Sequence, residues 1–433
     1  MEKLYARVKE LEQEMIEMRR DLHKHPEAAW TEFRTAAKVA GRLTELGFEV
    51  YVGDDVMVES EMMGVPSAEE LKKHQERAIS EGADPKWVQK MTGGKTGVMG
   101  VMKFDKPGRT IAFRVDMDAN DVQETHDADH FPNKMGFAST HPNVMHACGH
   151  DSHTTMGLTL AKILSENKDE FAGTIKLVFQ CAEEGVRGAK AMAAKGIVDD
   201  AEYFFGTHVG SGKKTDSSVT CMVGDMLATS KIDAYFKGLS AHAGAAPQNG
   251  KNALLAASQA CISLHSISRH GKGVSRINVG VLQAGTGRNV LPDIATIKFE
   301  TRGADSEINS YMEAEARRMV EAAAKLYNVE VTFKDMGSAP SCKLDTELGA
   351  EIYSLLKSTG EFEELIPHGS LGGSEDCTYF MDRVQARGGK AVFIFVGART
   401  DAGLHNGKFD MGEKTMVTGV TALVTLAKKY SNK

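Results

Sequence analysis

The stretch Thr174-Ile-Lys-Leu-Val-Phe-Gln-Cys-Ala-Glu-Glu-Gly185 is a short apolar run followed closely by two carboxylates. Its β-branched and aromatic residues predict a buried strand, Thr174–Phe179, and the glycine after the carboxylates indicates a turn. Helical stretches separate several similar runs, which are Gly97–Phe104, Thr110–Val115, Tyr203–Thr207 and Ala391–Val396. This alternation predicts an α/β domain in which helices surround a sheet.

The size and charge of the chain set limits on its class. Its 433 residues suffice for about two or three domains of ordinary size, and 42% of them are hydrophobic. The net charge of −7 means that the chain has no excess of basic residues of the kind that binds nucleic acid. No apolar run approaches the length of a membrane span, and the charged N-terminus has no apolar signal core. We therefore expect a cytoplasmic protein that binds neither nucleic acid nor membranes.

A second domain is predicted to interrupt the first. Between about Thr229 and Met336 the pattern reads strand, helix, strand, strand, helix, strand, which is a ferredoxin-like βαββαβ order. The predicted elements are Lys231–Lys237, Asn252–Ser268, Val274–Gln283, Ala295–Arg302, Ser306–Tyr327 and Val329–Lys334. The expected division is therefore 1–228 and 339–433 for the α/β domain, with a smaller α+β domain at 229–338.

Two other segments have patterns that predict helices but contain no candidate catalytic or ligand-binding residues. Apolar residues from Leu4 to Leu22 recur every three or four positions, which predicts one amphipathic helix. Residues 54–95 look like a helical insert in the first domain, with Ser67 and Asp84 placed as helix N-caps. The insert could serve as a lid or as a surface for a partner.

The densest polar cluster is His146-Ala-Cys148-Gly-His150-Asp-Ser-His153. Thiolate and imidazole are good ligands for zinc and other divalent transition metals, and one intervening glycine lets Cys148 and His150 converge. By itself, this sequence is equally compatible with the polar first turn of a helix.

Other candidate ligands follow predicted strands. Glu183 and Glu184 follow one strand, His208 ends another, and His405 comes soon after Ala391–Val396; Asp116 and Asp118 close a further strand. The carboxyl ends of strands are where open α/β sheets bind their ligands. Adjacent side chains point apart, so one glutamate can bind a metal while the other takes a proton from water. Together these residues predict a metal site, although each one alone also fits a structural role.

The inserted domain carries two polar loops. Ser240-Ala-His242-Ala-Gly244 follows its first strand, and small neighbours around His242 would let a ligand approach. Arg288 and Asn289 lie in a turn bracketed by glycine and proline, where they could hold a carboxylate. The same turn also fits an ordinary surface loop.

In this order the motifs resemble the metallopeptidase superfamily of aminoacylases, glutamate carboxypeptidases and auxin-conjugate amidohydrolases. The resemblance covers nearly the whole chain. Its carriers are Arg20-Asp-Leu-His23-Lys-His25-Pro26-Glu27, Asp116-Met-Asp118-Ala, His146 to His153, Glu183-Glu-Gly, His208, Ala241-His-Ala-Gly, Asn289-Val-Leu-Pro and Leu404-His-Asn. The use of Cys148 resembles the auxin-conjugate branch. The insert and the segment from Arg114 to Asp118 look closest to the aminobenzoyl-glutamate hydrolases.

The resemblance implies two divalent metal ions per chain, with Mn or Zn expected and Cys148 bridging them. One ion would add Glu184 and His405, and the other would add His150 and His208. Glu183 would be the general base, and Asp118 would orient a ligand. Asp116 would not be a ligand.

The same resemblance makes 229–338 a lid and dimerisation domain. His242 would reach across a dimer to the scissile carbonyl in the partner's site, and Asn289 would help bind the substrate carboxylate. A homodimer is expected, and a heteromer with a related subunit is the alternative.

The implied reaction is hydrolysis of a small N-acyl amino acid, with p-aminobenzoyl-glutamate as the leading substrate. Other N-acyl amino acids or dipeptides are the alternative. Two further hypotheses stay open. The chain could be a subunit with little activity alone, or Cys148 could act as a thiol nucleophile paired with His150.

Overall fold

The computed structural model describes residues 1–432, which divide into two compact units. The first comprises Met1–Gly224, Lys343–Leu371 and the described residues from Cys377 onward. The second comprises Asp225–Cys342 and Gly372–Asp376. These bounds lie within a few residues of the expected divisions, except that the short segment Gly372–Asp376 belongs to the second unit. Within the described chain, no helix is long and apolar enough to cross a membrane.

The first unit is built on a mixed sheet. Its strands are β1 (Glu49–Val52), β2 (Val98–Lys103), β3 (Thr110–Asp116), β4 (Thr174–Gln180), β5 (Tyr203–Gly210), β6 (Ser218–Thr220), β12 (Glu364–Ile366) and β14 (Lys390–Gly397). A separate small pair joins β7 (Val223–Gly224) to β13 (Gly369–Ser370). The main sheet has the order β1-β2-β4-β3-β5-β14-β6-β12. Its four central strands, β4, β3, β5 and β14, are mutually parallel and nearly continuously buried.

Helices cover this sheet. They are α1 (Glu2–Glu10), α2 (Glu12–Lys24), α3 (Phe33–Glu45), α4 (Ala68–Ser80), α5 (Pro85–Val88), α6 (Phe131–Met135), α7 (His150–Glu166), α8 (Ala189–Ala194), α11 (Thr346–Thr359), α12 (Thr378–Gln385) and α13 (Thr415–Ser431). Helix α7 packs on β3 and α13 packs on β14, and both helices are buried over most of their length. The insert uses the expected caps, because Ser67 accepts from the Glu70 amide and Asp84 from the Lys86 amide.

The second unit is an antiparallel sheet with two helices. In chain order its elements are β8 (Ala228–Lys237), α9 (Ala253–His265), β9 (Ser275–Ala284), β10 (Ile294–Gly303), α10 (Ser306–Leu326) and β11 (Glu330–Ala339). This is the predicted βαββαβ order, with strands arranged β11-β8-β10-β9. Alternate residues such as Ile232, Phe236 and Ile297 form a core with both helices, which explains the period-two pattern in β8 and β10.

Two sequence expectations need correction. The stripe from Leu4 to Leu22 forms two helices, because Leu11 has ψ near 2° and its amide is shared between the carbonyls of Arg7 and Val8. His208 does not end its strand, since β5 continues to Gly210. The parallel pairing of β5 with β14 extends the strand across this residue.

Candidate metal centre

The candidate ligands lie at one edge of the parallel sheet. Because β3, β4, β5 and β14 run in the same direction, the segments that follow them lie on the same side of the sheet. Helix α7 begins there, at His150, directly after Gly149. Gly149 has φ +85°, and a Cβ on it would lie 2.6 Å from Cγ2 of Val209, so only glycine fits this approach of helix to strand.

The turn after β4 is strained and firmly held. Ala182, Gly185 and Val186 all have positive φ angles, of 50°, 86° and 58°. The Asp118 carboxylate accepts hydrogen bonds from the amides of Glu183 at 3.0 Å and Glu184 at 2.8 Å. Strain of this kind persists only where the surroundings hold it, and it clusters at functional sites. Asp118 therefore fixes the direction of the two glutamates through their backbone.

Two imidazoles present a free nitrogen to the cluster. Nδ1 of His150 donates to the Asp118 carbonyl at 2.8 Å, and Nδ1 of His208 donates to the Val209 carbonyl at 2.8 Å. Each bond leaves Nε2 unprotonated in the neutral ring, as a metal ligand requires. Nε2 of His208 lies 3.3 Å from Sγ of Cys148. Three of the predicted ligands thus meet in the buried core of the first unit.

A second group shares the same cysteine. Cys148, Glu184 and His405 each offer one ligand atom within 4.8 Å of the others. Nε2 of His405 lies 3.4 Å from Oε1 of Glu184, and the His405 amide donates to the Ala147 carbonyl. His405 has φ +61°, so it is a further residue with a strained backbone at this edge. Cys148 therefore belongs to this group and also lies beside His208 of the other predicted ligand pair.

Asp116 and His153 are buried beside this cluster but already have partners. Asp116 receives Nδ1 of His153 at 2.5 Å and lies 2.8 Å from the Arg114 guanidinium. Nε2 of His153 accepts the Val209 amide at 2.8 Å, so both of its nitrogens are engaged. Sequence reasoning missed this role of His153. Its position three residues after His150, one turn along a helix, is the signal that could have indicated it.

The electrostatics of the cluster favour a cation. Burial and the Glu184 carboxylate raise the pKa of the Cys148 thiol, which disfavours a free thiolate nucleophile. Burial would raise the pKa of Glu184, but the adjacent imidazoles of His405 and His150 lower it to about 2. The neighbouring Cys148 and Glu184 side chains raise the pKa of His405 to about 10. Positive charge is thus held against this thiol and carboxylate.

Two buried polar atoms without hydrogen-bond partners indicate whether these residues suit a metal ion. Nε2 of His150 and Oε1 of Glu184 are buried, yet neither has a hydrogen-bond partner. Leaving buried polar atoms unpaired costs about 1–3 kcal/mol each, so such atoms call for an explanation. Thiolate, imidazole and carboxylate are the donors that zinc and similar cations bind. The residues present fit a divalent metal.

Glu32 is a supporting residue that the sequence did not indicate. Its side chain is fully buried, and its carboxyl group accepts from the Ala182 amide at 2.7 Å and from the Thr96 hydroxyl at 2.6 Å. It thereby anchors the strained turn that carries Glu183. Burial and the nearby charge of Asp118 raise the pKa of Glu32 to about 8.

The polar loops of the second unit are held to each other. The Ala243 amide donates to the Asn289 carbonyl and the Leu291 amide to the Ala241 carbonyl, which brings His242 beside the turn of Arg288 and Asn289. Nδ1 of His242 accepts from the amides of Gly244 and Ala245, at 3.1 and 3.0 Å. The proton of the neutral ring therefore sits on Nε2. His242, Arg288 and Asn289 are all exposed.

A buried set of thiol, imidazole and carboxylate groups at the carboxyl edge of a parallel sheet is a candidate metal site of the kind that metal-dependent hydrolases use. The chain belongs to peptidase family M20/M25/M40, whose sequence profile matches residues 112–429. As a member, it is an enzyme that hydrolyses amide bonds.

Full-length relatives narrow this class. The chain is 43% identical to indole-3-acetyl-aspartic acid hydrolase of Enterobacter agglomerans, over 98% of this chain and 97% of that protein. It is also 43% identical to one subunit of the p-aminobenzoyl-glutamate hydrolase of Escherichia coli, over 99% of both chains. The crystal structure of an aminobenzoyl-glutamate utilization protein from Klebsiella pneumoniae matches with a TM-score of 0.83 and 38% identity, covering 98% of both chains.

Proposed function

We propose that this enzyme hydrolyses p-aminobenzoyl-glutamate to p-aminobenzoate and glutamate. The support is the full-length similarity to the E. coli hydrolase chain and to the K. pneumoniae protein. A second candidate is an N-acyl aspartate, because the E. agglomerans indole-3-acetyl-aspartic acid hydrolase is equally identical. Both candidates are amides of an acidic amino acid.

The metal cofactor is proposed to be a pair of divalent ions, Mn or Zn. Cys148 would bridge them, with Glu184 and His405 completing one site and His150 and His208 the other. When bound, such ions lower the pKa of a water molecule and polarise the scissile carbonyl. The unpaired Nε2 of His150 and Oε1 of Glu184 support this ligand set.

Glu183 is the proposed general base, and its position carries the mechanism. Its amide is fixed by Asp118, its neighbour Glu184 belongs to the ligand set, and its side chain groups with those of His150 and Glu184. The carboxylate would take a proton from the attacking water and pass it to the nitrogen of the leaving glutamate. Amide hydrolysis needs this transfer because an amine anion is a poor leaving group.

The loops of the second unit are proposed to serve the active site of a partner subunit. Nε2 of His242 would donate a hydrogen bond to the carbonyl oxygen as it becomes negative. Arg288 and Asn289 would bind the substrate carboxylate. The partner is proposed to be a second copy of this chain. A related but different chain is the alternative, since the E. coli relative is named as one subunit of a hydrolase and the Haemophilus influenzae relative as a homolog of it.

The test is release of glutamate from p-aminobenzoyl-glutamate by the purified chain, with Mn²⁺ or Zn²⁺ and with a chelator. Indole-3-acetyl-aspartate serves as the parallel substrate. We expect turnover that the chelator abolishes and added metal restores. Turnover that is unchanged by complete metal removal would contradict the mechanism. If activity appears only when a related subunit is added, the active form is the heteromer and the proposed homodimer is wrong.

A further inference from the structure

The turn that carries the two glutamates also carries an arginine without an ion-pair partner. Arg187 follows Glu184 by three residues and is partly exposed. Among residues 1–432 its guanidinium makes no salt bridge or hydrogen bond. Lys190, three residues further on, pairs with Glu61 at 3.0 Å. A partly buried guanidinium beside a candidate active site and without a carboxylate partner is free to bind an anionic group of the substrate.

The guanidinium of Arg187 lies against the residue that follows Glu184. A Cβ built on Gly185 would lie 2.5 Å from Nε of Arg187 and 3.0 Å from Nη2, so the guanidinium lies across Gly185. Gly185 is the residue directly after Glu184. Any side chain at position 185 would displace the guanidinium. The glycine therefore does more than allow its φ of +86°, because it also leaves the space that Arg187 occupies.

The turn holds Arg187 in place at a cost in strain. Val186 has φ +58° although it is β-branched, a combination that is a genuine outlier. Its amide donates to the Glu183 carbonyl at 2.6 Å, and the Arg187 amide donates to the Ala182 carbonyl at 3.2 Å. The Val186 side chain is buried, 4% exposed, so the next side chain in the chain emerges from a fixed backbone.

We propose that Arg187 binds the side-chain carboxylate of the substrate's amino acid and so selects N-acyl derivatives of glutamate or aspartate. This inference rests on the proposed function. If the substrate carboxylate assigned there to Arg288 and Asn289 is the α-carboxylate, the second carboxylate of an acidic amino acid still needs a partner. The guanidinium matches that carboxylate in charge and in its ability to form two parallel hydrogen bonds.

The experiment compares p-aminobenzoyl-glutamate with p-aminobenzoyl-glutamine, which has the same shape without the charge. The native enzyme should prefer the glutamate compound by about a hundredfold in kcat/KM, as expected for a partly desolvated charge pair. In Arg187→Met this preference should disappear through a rise in KM for the glutamate compound, with the glutamine compound changed less than about twofold. The preference of Arg187→Lys should lie between those of the native enzyme and Arg187→Met, since lysine keeps the charge but lacks the planar guanidinium.

Lys190→Met is the matched control, because it removes a nearby cation that already has a partner, and it should leave the preference intact. An equal loss on both compounds in Arg187→Met would overturn the proposal and assign the arginine to the turn or to the α-carboxylate. A native enzyme that cleaves both compounds equally would also overturn it, while leaving amide hydrolysis in place. If the native enzyme cleaves neither compound, the proposed function itself fails.

Discussion

The predicted site residues of the two units differ in how they are held. In the first unit, Cys148, His150 and His208 are buried, and backbone carbonyls fix the orientation of both imidazoles. In the second unit, His242 and Asn289 are exposed. They are held by pairing between two loops and, for His242, by the amides of Gly244 and Ala245. The first set is therefore preorganised by a sheet, whereas the second gains its low-dielectric surroundings only when something covers it. This contrast predicts that substitutions in the two sets of residues reduce activity in different ways.

The largest effect is expected from Glu183→Gln. The amide cannot take a proton from water, so kcat should fall by about 10⁴-fold or more, while the metal content stays that of the native protein. Steady-state kinetics and metal analysis on the same preparation check this. Full activity in the variant would remove Glu183 as the base, and loss of metal would assign it to the ligand set instead.

A smaller loss, of about a hundredfold in kcat, is expected for His242→Ala, because one donor to the developing negative oxygen is removed. Its thermal stability should stay unchanged, since the side chain is exposed. Mixing Glu183→Gln with His242→Ala then tests the dimer. If His242 acts in its partner's site, mixed dimers contain one complete site, and about a quarter of native activity should return. Absence of any recovery after subunit exchange would place His242 in its own subunit's site.

Asn289→Ala should raise KM by about tenfold with little change in kcat, as expected for a contact made equally to the substrate and the transition state. The midpoint of thermal unfolding should not move, because the side chain is exposed. A large loss of stability would show that the loop pairing, and not substrate binding, depends on this residue.

The smallest effect on turnover, and a visible one on stability, is expected for Glu32→Gln. The folded-state pKa of Glu32 is raised to about 8 from 4.5, so the unfolded chain binds fewer protons between these values, and Glu32 destabilises the fold increasingly as pH rises through them. Gln mimics the protonated carboxyl, so it can still accept from the Ala182 amide. In metal-free protein, the variant should therefore gain about 3.5 kcal/mol over the native chain between pH 5 and pH 8. Urea unfolding at both pH values measures this, and a pH-independent difference would contradict it.

The parts of the fold that sequence could predict are those with long, regular patterns. The five buried runs became β2, β3, β4, β5 and β14, and the second unit has the predicted order of elements. The strands β6, β7, β12 and β13 were not predicted, because two or three residues are too few to establish a period. Their pairing depends on contacts that are distant in sequence.

The candidate site was predictable for a similar reason. Ligands at or beyond the carboxyl ends of parallel strands meet at one edge. The convergence of Cys148, Glu184, His208 and His405 therefore follows once the strands are known. The hydrogen bonds that select Nε2 of His150 and His208 were not predictable, since their partners are backbone carbonyls. The burial of Glu32 beneath the turn likewise depends on tertiary packing.

The most direct test of the central claim is the metal content of the cluster. Equilibrium dialysis of metal-free protein against Zn²⁺ or Mn²⁺, followed by atomic emission spectroscopy, should give about two ions per chain, as the two ligand groups imply. Cys148→Ala should lose most of this metal because the thiolate is shared, whereas Cys221→Ala, which removes another buried thiol, should retain it. A native chain that binds no metal, or a Cys148→Ala variant that binds as much as the native chain, would contradict the account.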